Sequence, residues 1–288
     1  MYPKVSIVTS YHNRKPHFLK TLGVLDKHPS KDFEVVIVDD ASEEEHRLED
    51  DLDYSFETTL IRIDPEHKTH RNPCVPFNMG FSSARGEKII IQNPECLWAG
   101  DLITAALQTE ENEYTSFCCY SFDHELTVSL LEKDISGYDF DSLRTELRQL
   151  AYSLRQISVD NSWPDRGRAW FNHHVFRPTA YHFASAINRK DLEELGGFDE
   201  RFAHGVGYDD TEFITRVRRK MKIKFCEELV IHLDHPQHCF QDADSIAAYH
   251  SNRKIFEEVT LKQDGWKIDQ TLRRPHLHGL GGFGKRAL

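Results

Sequence analysis

The chain has 288 residues, of which 39% are hydrophobic, 29% charged and 11% aromatic, an ordinary composition for a globular protein with a sizeable core. Its formal net charge of −11 excludes a general nucleic-acid binder, which needs a basic face. An anionic substrate stays open, because a bound divalent cation brings its own charge. No apolar run approaches the roughly 20 residues that cross a bilayer. The N-terminus MYPKVSIVTSYHNR carries no signal-peptide core, so a cytoplasmic location is expected. Six cysteines without C-x-x-C spacing are expected to be reduced thiols.

KVSIVTS (4–10) reads as a strand, and KPHFLKTLGVLDK follows with Phe18, Leu19, Leu22 and Leu25 at helical spacing. FEVVIVDDAS (33–42) is a second buried strand ending in Asp39 and Asp40, and TTLIRI (58–63) a third. A short helix around Phe77 to Ala84 leads to the isoleucine strand Ile89, Ile90 and Ile91. That strand stops at Gln92, Asn93, Pro94 and Glu95, leaving one carboxylate at its tip. Strands and helices alternating in this way predict βαβ units and a mostly parallel sheet. The first βα turn, SYHNRKP, has no glycine, and no P-loop occurs. A nicotinamide dehydrogenase and a phosphate-loop NTPase are therefore disfavoured.

From about 123 to 180 the pattern changes. DSLRTELRQLAYSLRQI (141–157) predicts an amphipathic helix, and NSWPDRGRAWFNHHVFRPTAYHF (161–183) is crowded with aromatics, Arg and His. Such a stretch is not expected to be a buried strand. It fits either a carbohydrate-binding wall, with aromatic faces on sugar rings, or an insertion packed by its own Trp and Phe residues. Further on, Phe213, Ile214, Val217 and Met221 mark one helix face, and KIKFCEELVIH ends a strand on His232. One more helix is expected from Ser245 to Val259, before a Gly- and His-rich tail expected to be mobile.

VSIVTSYHNR, VVIVDDAS, NMGFSSARGEKIIIQNPE and GGFDERFAHGVGYDDTEF, in that order, resemble the family 2 glycosyltransferases of the GT-A fold. The resemblance covers roughly 1–105 and 180–236. It implies an α/β fold, a Rossmann-like mostly parallel sheet flanked by helices, carrying a helical and aromatic insertion and a C-terminal extension. A GT-A domain would span 1–240, with a nucleotide-binding half (1–105) and an acceptor-side half (106–240). The C-terminal helix and tail would occupy 241–288. The implied reaction moves a sugar from a UDP-sugar to a glycan or other hydroxyl acceptor, with inversion and metal assistance. Alternatives are a degenerate nucleotide-sugar binder without turnover and, more remotely, a metal hydrolase around His232, Asp234 and His235.

Carried over by motif, the resemblance places Thr9, Tyr11, Asn13, Asp39, Asp40, Arg71 and Asn78 at the nucleotide. Where the family has Asp-x-Asp, this chain has Asn93-Pro94-Glu95. Glu95 would hold Mn²⁺ (or Mg²⁺) on the diphosphate, with His232 and His235 completing the shell. Asp209 and Asp210 form the catalytic acid pair, Asp210 as general base. Asp209-x-x-Glu212 also has capping-box spacing, a purely structural reading. Trp163, Trp170 and His182 are the candidates for the acceptor or donor sugar.

Overall fold

The structure is a computed structural model that describes residues 3–158, 168–236, 242–261 and 282–283. Runs of Val and Ile form its centre, because β-branched side chains pack well on strands covered on both faces. Strands β1 (Val5–Tyr11), β2 (Phe33–Asp39), β3 (Glu57–Arg62) and β4 (Lys88–Gln92) are linked through helices α1 (Lys15–Leu25) and α2 (Cys74–Ser83). They lie in the order β3-β2-β1-β4, all parallel, with Val8 opposite both Val36 and Ile91.

The chain continues through β5 (Cys96–Trp98), α3 (Leu102–Leu107), β6 (Glu113–Ser121), α4 (His124–Glu132) and α5 (Phe140–Ser153). Next come β7 (Ala169–Asn172), β8 (Ala184–Asn188), α6 (Arg189–Leu195), α7 (Asp209–Lys220), β9 (Lys222–His232) and α8 (Ala243–Leu261). Beyond β4 the sheet is mixed, continuing β8-β6-β9-β5. β8 is antiparallel to β4, β6 antiparallel to β8, and β9 parallel to β6. β9 therefore runs in the same sense as β4, and His232 arrives on the edge where β1, β2 and β4 end. Ligands of open α/β sheets sit at that edge.

Helices cover both faces. Leu22, Leu102, Leu130 and Leu143 bring α1, α3, α4 and α5 to one core. Phe77, Leu192 and Phe213 bring α2, α6 and α7 to the other. This is the layered sheet that the sequence predicts.

Two regions differ from expectation. Ala169–Asn172, in the stretch not expected to contain a strand, is β7, buried throughout and antiparallel to β6. In the tail, Gly282–Phe283 forms a two-residue strand, β10, antiparallel to β3. The remainder of the tail, and Trp163, lie outside the described residues. Cys74, Cys96, Cys118, Cys119 and Cys226 are free thiols.

Candidate functional site

Proline ends β4, and the turn that follows is locked by Gln92. Its Oε1 accepts from Trp98 Nε1 at 2.6 Å, and its Nε2 donates to the Cys96 carbonyl at 3.0 Å. Glu95 lies in this turn, and its carbonyl accepts from Leu233 N at 3.1 Å, which draws the end of β9 alongside. As a result Glu95 Oε1 lies 3.4 Å from His232 Nε2 and 3.7 Å from His235 Nε2. All three offer ligand atoms within 4.8 Å of one another. Burial alone would raise the Glu95 pKa, but the two imidazoles outweigh it and hold the carboxyl well below the usual range. Burial works against a charged His235, and Glu95 more than restores it, so that pKa is raised.

His232 is wedged among Phe171, Phe183 and His235, and its Nδ1 is buried with no partner among the described residues. His235 Nδ1 lies 3.0 Å from the Pro236 carbonyl, and Arg14 Nη2 lies 2.9 Å from the same nitrogen. Arg14 can only donate, so Nδ1 accepts from it and the proton of the neutral ring lies on Nε2, facing Glu95.

The tips of β1 and β2 are denser than the sequence suggests. Asp39 is fully buried; Oδ1 accepts from Ser42 N at 2.9 Å and Oδ2 from Arg62 Nη1 at 2.5 Å. Burial is the main reason its pKa is raised. Asp40 is also buried, but His70 Nε2 at 2.8 Å and Lys68 Nζ at 2.9 Å outweigh that and keep its pKa low. Asn13 has φ 49° and accepts from Glu43 N at 2.9 Å, tying the two tips together. Thr9 Oγ1 is buried without a partner among the described residues.

Three residues assigned to the nucleotide are engaged elsewhere. Tyr11 is wholly buried against Phe18, with its hydroxyl on the His46 carbonyl at 2.6 Å, so it presents no face to a base. Asn78 donates to Phe198 O and Glu200 Oε1, both at 2.9 Å, and accepts from Phe198 N, so it braces that loop. Arg71 pairs with Asp244 of α8 at 2.7 Å.

The acids stand at the start of α7. Asp209 is buried, and its Oδ1 accepts from Asn72 Nδ2 at 2.8 Å. Burial, with Asp210 beside it, pushes its pKa up to about 7. Asp210 is partly exposed, and its Oδ1 accepts from Thr211 N at 2.6 Å. The capping-box reading fails. The residue before α7 is Tyr208, which makes no side-chain cap, and Glu212 is bonded to Arg216 at 2.6 Å. Buried His182 is packed on Phe77 and Phe198. Burial lowers its pKa, against the fields of both Asp210 and Glu95.

Residues 6–195 match the family described as glycosyl transferase family 2. The chain belongs to that family. The glycosyltransferase is 23% identical to an uncharacterized glycosyltransferase, YfnE, of Bacillus subtilis, covering 85% of this chain and 68% of the relative. An uncharacterized glycosyltransferase of Haemophilus influenzae is 29% identical over 39% of this chain and 37% of its own. Among solved structures, S. aureus TarS (1–349) in complex with UDP-GlcNAc is similar at a TM-score of 0.57 and 12% identity, covering 91% of this chain and 67% of that one. GalNAc-T7 with UDP, GalNAc and Mn²⁺ gives 0.54 at 15% identity, over 88% of this chain and 48% of that one. These structural likenesses establish the GT-A fold. The glycosyltransferase thus spans from about a third to about two thirds of the lengths of these proteins.

In the glycosyltransferase, Trp170 is not part of a sugar-binding wall. It is 0% exposed, edge-on to Tyr120 at 5.0 Å, with Nε1 on Gln156 Oε1 at 2.8 Å. Core packing is therefore the reading that holds for this residue. Cys118, His173 and His174 also converge within 4.8 Å, away from the sheet edge. That cluster is poorly suited to a metal. His173 Nδ1 accepts from Val175 N at 3.0 Å, which leaves the proton on Nε2 of the neutral ring, and burial pushes the Cys118 thiol up to about 12. Arg14, Arg62, Lys68, His70 and Asn72 belong to the site's surroundings, yet no local sequence pattern marks them.

Proposed function

We propose that this glycosyltransferase moves a sugar from a UDP-sugar to a hydroxyl of a glycan acceptor, with inversion. One observation carries the reading. The Glu95–His232–His235 cluster lies on the edge where β1, β2 and β4 end, and buried His182 feels both Glu95 and Asp210. An enzyme of this class needs a charge-neutralising centre for a departing diphosphate and a base for the acceptor. Relatives in the fold were solved with UDP-GlcNAc and with UDP, GalNAc and Mn²⁺, which supports the donor class.

Glu95, His232 and His235 would hold Mn²⁺ or Mg²⁺, with His235 able to ligate through Nε2 only once Arg14 leaves its Nδ1; one carboxylate and two imidazoles suit Mn²⁺ better. Among the described residues no hydrogen bond to Nδ1 fixes the His232 tautomer, so Nε2 is free to take either form. When bound, the cation neutralises charge on the diphosphate. Here Glu95 takes the place of the family's last Asp-x-Asp carboxylate, and His235 adds a donor to compensate for Asn93.

Thr9, Asn13, Asp39 and Asp40 would surround the nucleoside, with the unused lone pairs of the two carboxylates as acceptors. Arg71 would reach the nucleotide only on leaving Asp244. Asp210, the exposed member of the acid pair, takes the proton from the acceptor hydroxyl as its oxygen bonds to the anomeric carbon. The bond from that carbon to the diphosphate oxygen breaks on the opposite face. Asp209 keeps Asp210 company as a buried carboxyl held by Asn72, and His182 would face the transferred sugar.

The lost acid at Asn93 favours one second reading, a nucleotide-sugar binder without turnover. Incubation with UDP-sugars and Mn²⁺, read as UDP release, separates the readings. Transfer gives release that depends on acceptor. Binding alone gives a thermal shift without release, and hydrolysis gives release indifferent to acceptor.

A further inference from the structure

The acids enter α7 through an unusual turn. Gly207 and Tyr208 have φ values of 66° and 67°, and α7 has no side-chain cap. Glycine accepts the left-handed region at no steric cost, whereas a bulky tyrosine stays there only when its surroundings hold it. What holds it comes from α8. Asn252 is 1% exposed, and its Nδ2 donates to the Gly207 carbonyl at 2.8 Å and the Phe202 carbonyl at 3.1 Å. Its Oδ1 is buried without a partner among the described residues. Turning the amide over would set that oxygen against two carbonyls, so the side chain is fixed as a double donor.

Two further contacts reinforce it. Tyr208 Oη donates to Tyr249 Oη at 3.1 Å, and Val206 N donates to the Ala248 carbonyl at 3.3 Å. A Cβ at Gly205 would lie 2.0 Å from Asn252 Oδ1. This accounts for Gly-Val-Gly at 205–207. The first glycine lets Asn252 approach, and the second turns the chain.

We infer that Asn252 is a positioning residue for the acid pair. By clamping the Phe202–Gly207 loop it aims Asp209 and Asp210, which makes the C-terminal helix part of the catalytic apparatus although it lies outside the matched family region, 6–195. The inference rests on the proposed sugar transfer and adds a requirement of its own.

The test uses the full chain with Asn252→Asp, which keeps the volume but turns the donor into an acceptor, and Asn252→Ala in case the buried charge prevents folding. Steady-state UDP release, calorimetric UDP binding and hydrogen exchange are measured for each. The expected result is a fall in kcat of about 10²-fold, the effect of a misaimed base. UDP affinity should stay within about twofold, and exchange should rise at 203–212 but not in β1 or β4. Gly205→Ala combined with Asn252→Ala should cost no more than either alone, because both break one contact. A kcat within about twofold of wild type overturns the inference. So does a joint loss of kcat, UDP affinity and melting temperature, the sign of a merely structural residue. If the wild-type chain transfers no sugar, the proposed function fails by itself. Unchanged exchange at 203–212 would then still refute the clamp.

Discussion

Glu95 and Asp209 are buried almost equally, at 6% and 5% exposure, yet their environments push them in opposite directions. Glu95 has two imidazoles against it and stays ionised far below the normal range. Asp209 has a neutral amide and a second carboxylate for company, and is driven up to about 7. Burial sets the cost of charge at both sites, and the neighbours decide whether that cost is met. In the proposed reaction the Glu95 end would take a cation and a departing diphosphate. At the acid end the proposed base is Asp210, with Asp209 beside it raised to about 7.

The sharpest way to break this contrast is at the acid end. Asp210→Asn should lower turnover by roughly 10²–10⁴-fold while calorimetric UDP affinity is retained. Transfer within a few-fold of wild type would remove Asp210 as the base. Trp170→Ala should destabilise the protein by about 3–5 kcal/mol, as loss of a fully buried aromatic does, with the acceptor KM unchanged. A raised KM at an unchanged melting temperature would return Trp170 to the sugar site.

On the nucleotide side, Asp39→Ala should weaken UDP binding by about 1.5–3 kcal/mol, the value of a buried charged acceptor. Unaltered affinity would confine Asp39 to its bridge with Arg62. A further effect expected is one of pH. Because the Asp209 pKa is raised on folding from 3.8 to about 7, its contribution is fully present below about pH 4 and is lost as pH rises through 7. Asp209→Asn should flatten that window, melting higher than wild type at pH 8 but not at pH 4. Identical pH slopes would show that Asp209 is an ordinary carboxylate.

The parallel half of the sheet was legible because Val and Ile runs mark strands covered on both faces, and Glu95 was legible as an acid at one such strand's end. His232 could be placed by the same logic. β7 was not legible: four residues are too few to show a period, and Trp170 and Phe171 are buried only because β6 and the loops around it cover them. The capping-box spacing at Asp209 and Glu212 misled, since Glu212 found Arg216 one turn on. Asn72 meets Asp209 across 137 positions, and Arg62 meets Asp39 across 23. Contacts of that kind arise from the fold and leave no local trace. The role of Gly205 was hidden for the same reason, its partner being on α8.

A nucleotide diphosphate and a divalent cation are proposed to meet at Glu95, His232 and His235. Calorimetric titration of UDP into the wild-type chain and into Glu95→Gln, each with Mn²⁺ and with chelator, decides whether they do. Mn²⁺ should tighten UDP binding to the wild type by about 10-fold or more, and the amide variant should lose most of that gain, since even second-shell changes cost metal sites 10–100-fold. Equal UDP affinity with Mn²⁺ and in chelator would contradict the claim and leave Arg14, beside His235, as the group that must meet the diphosphate.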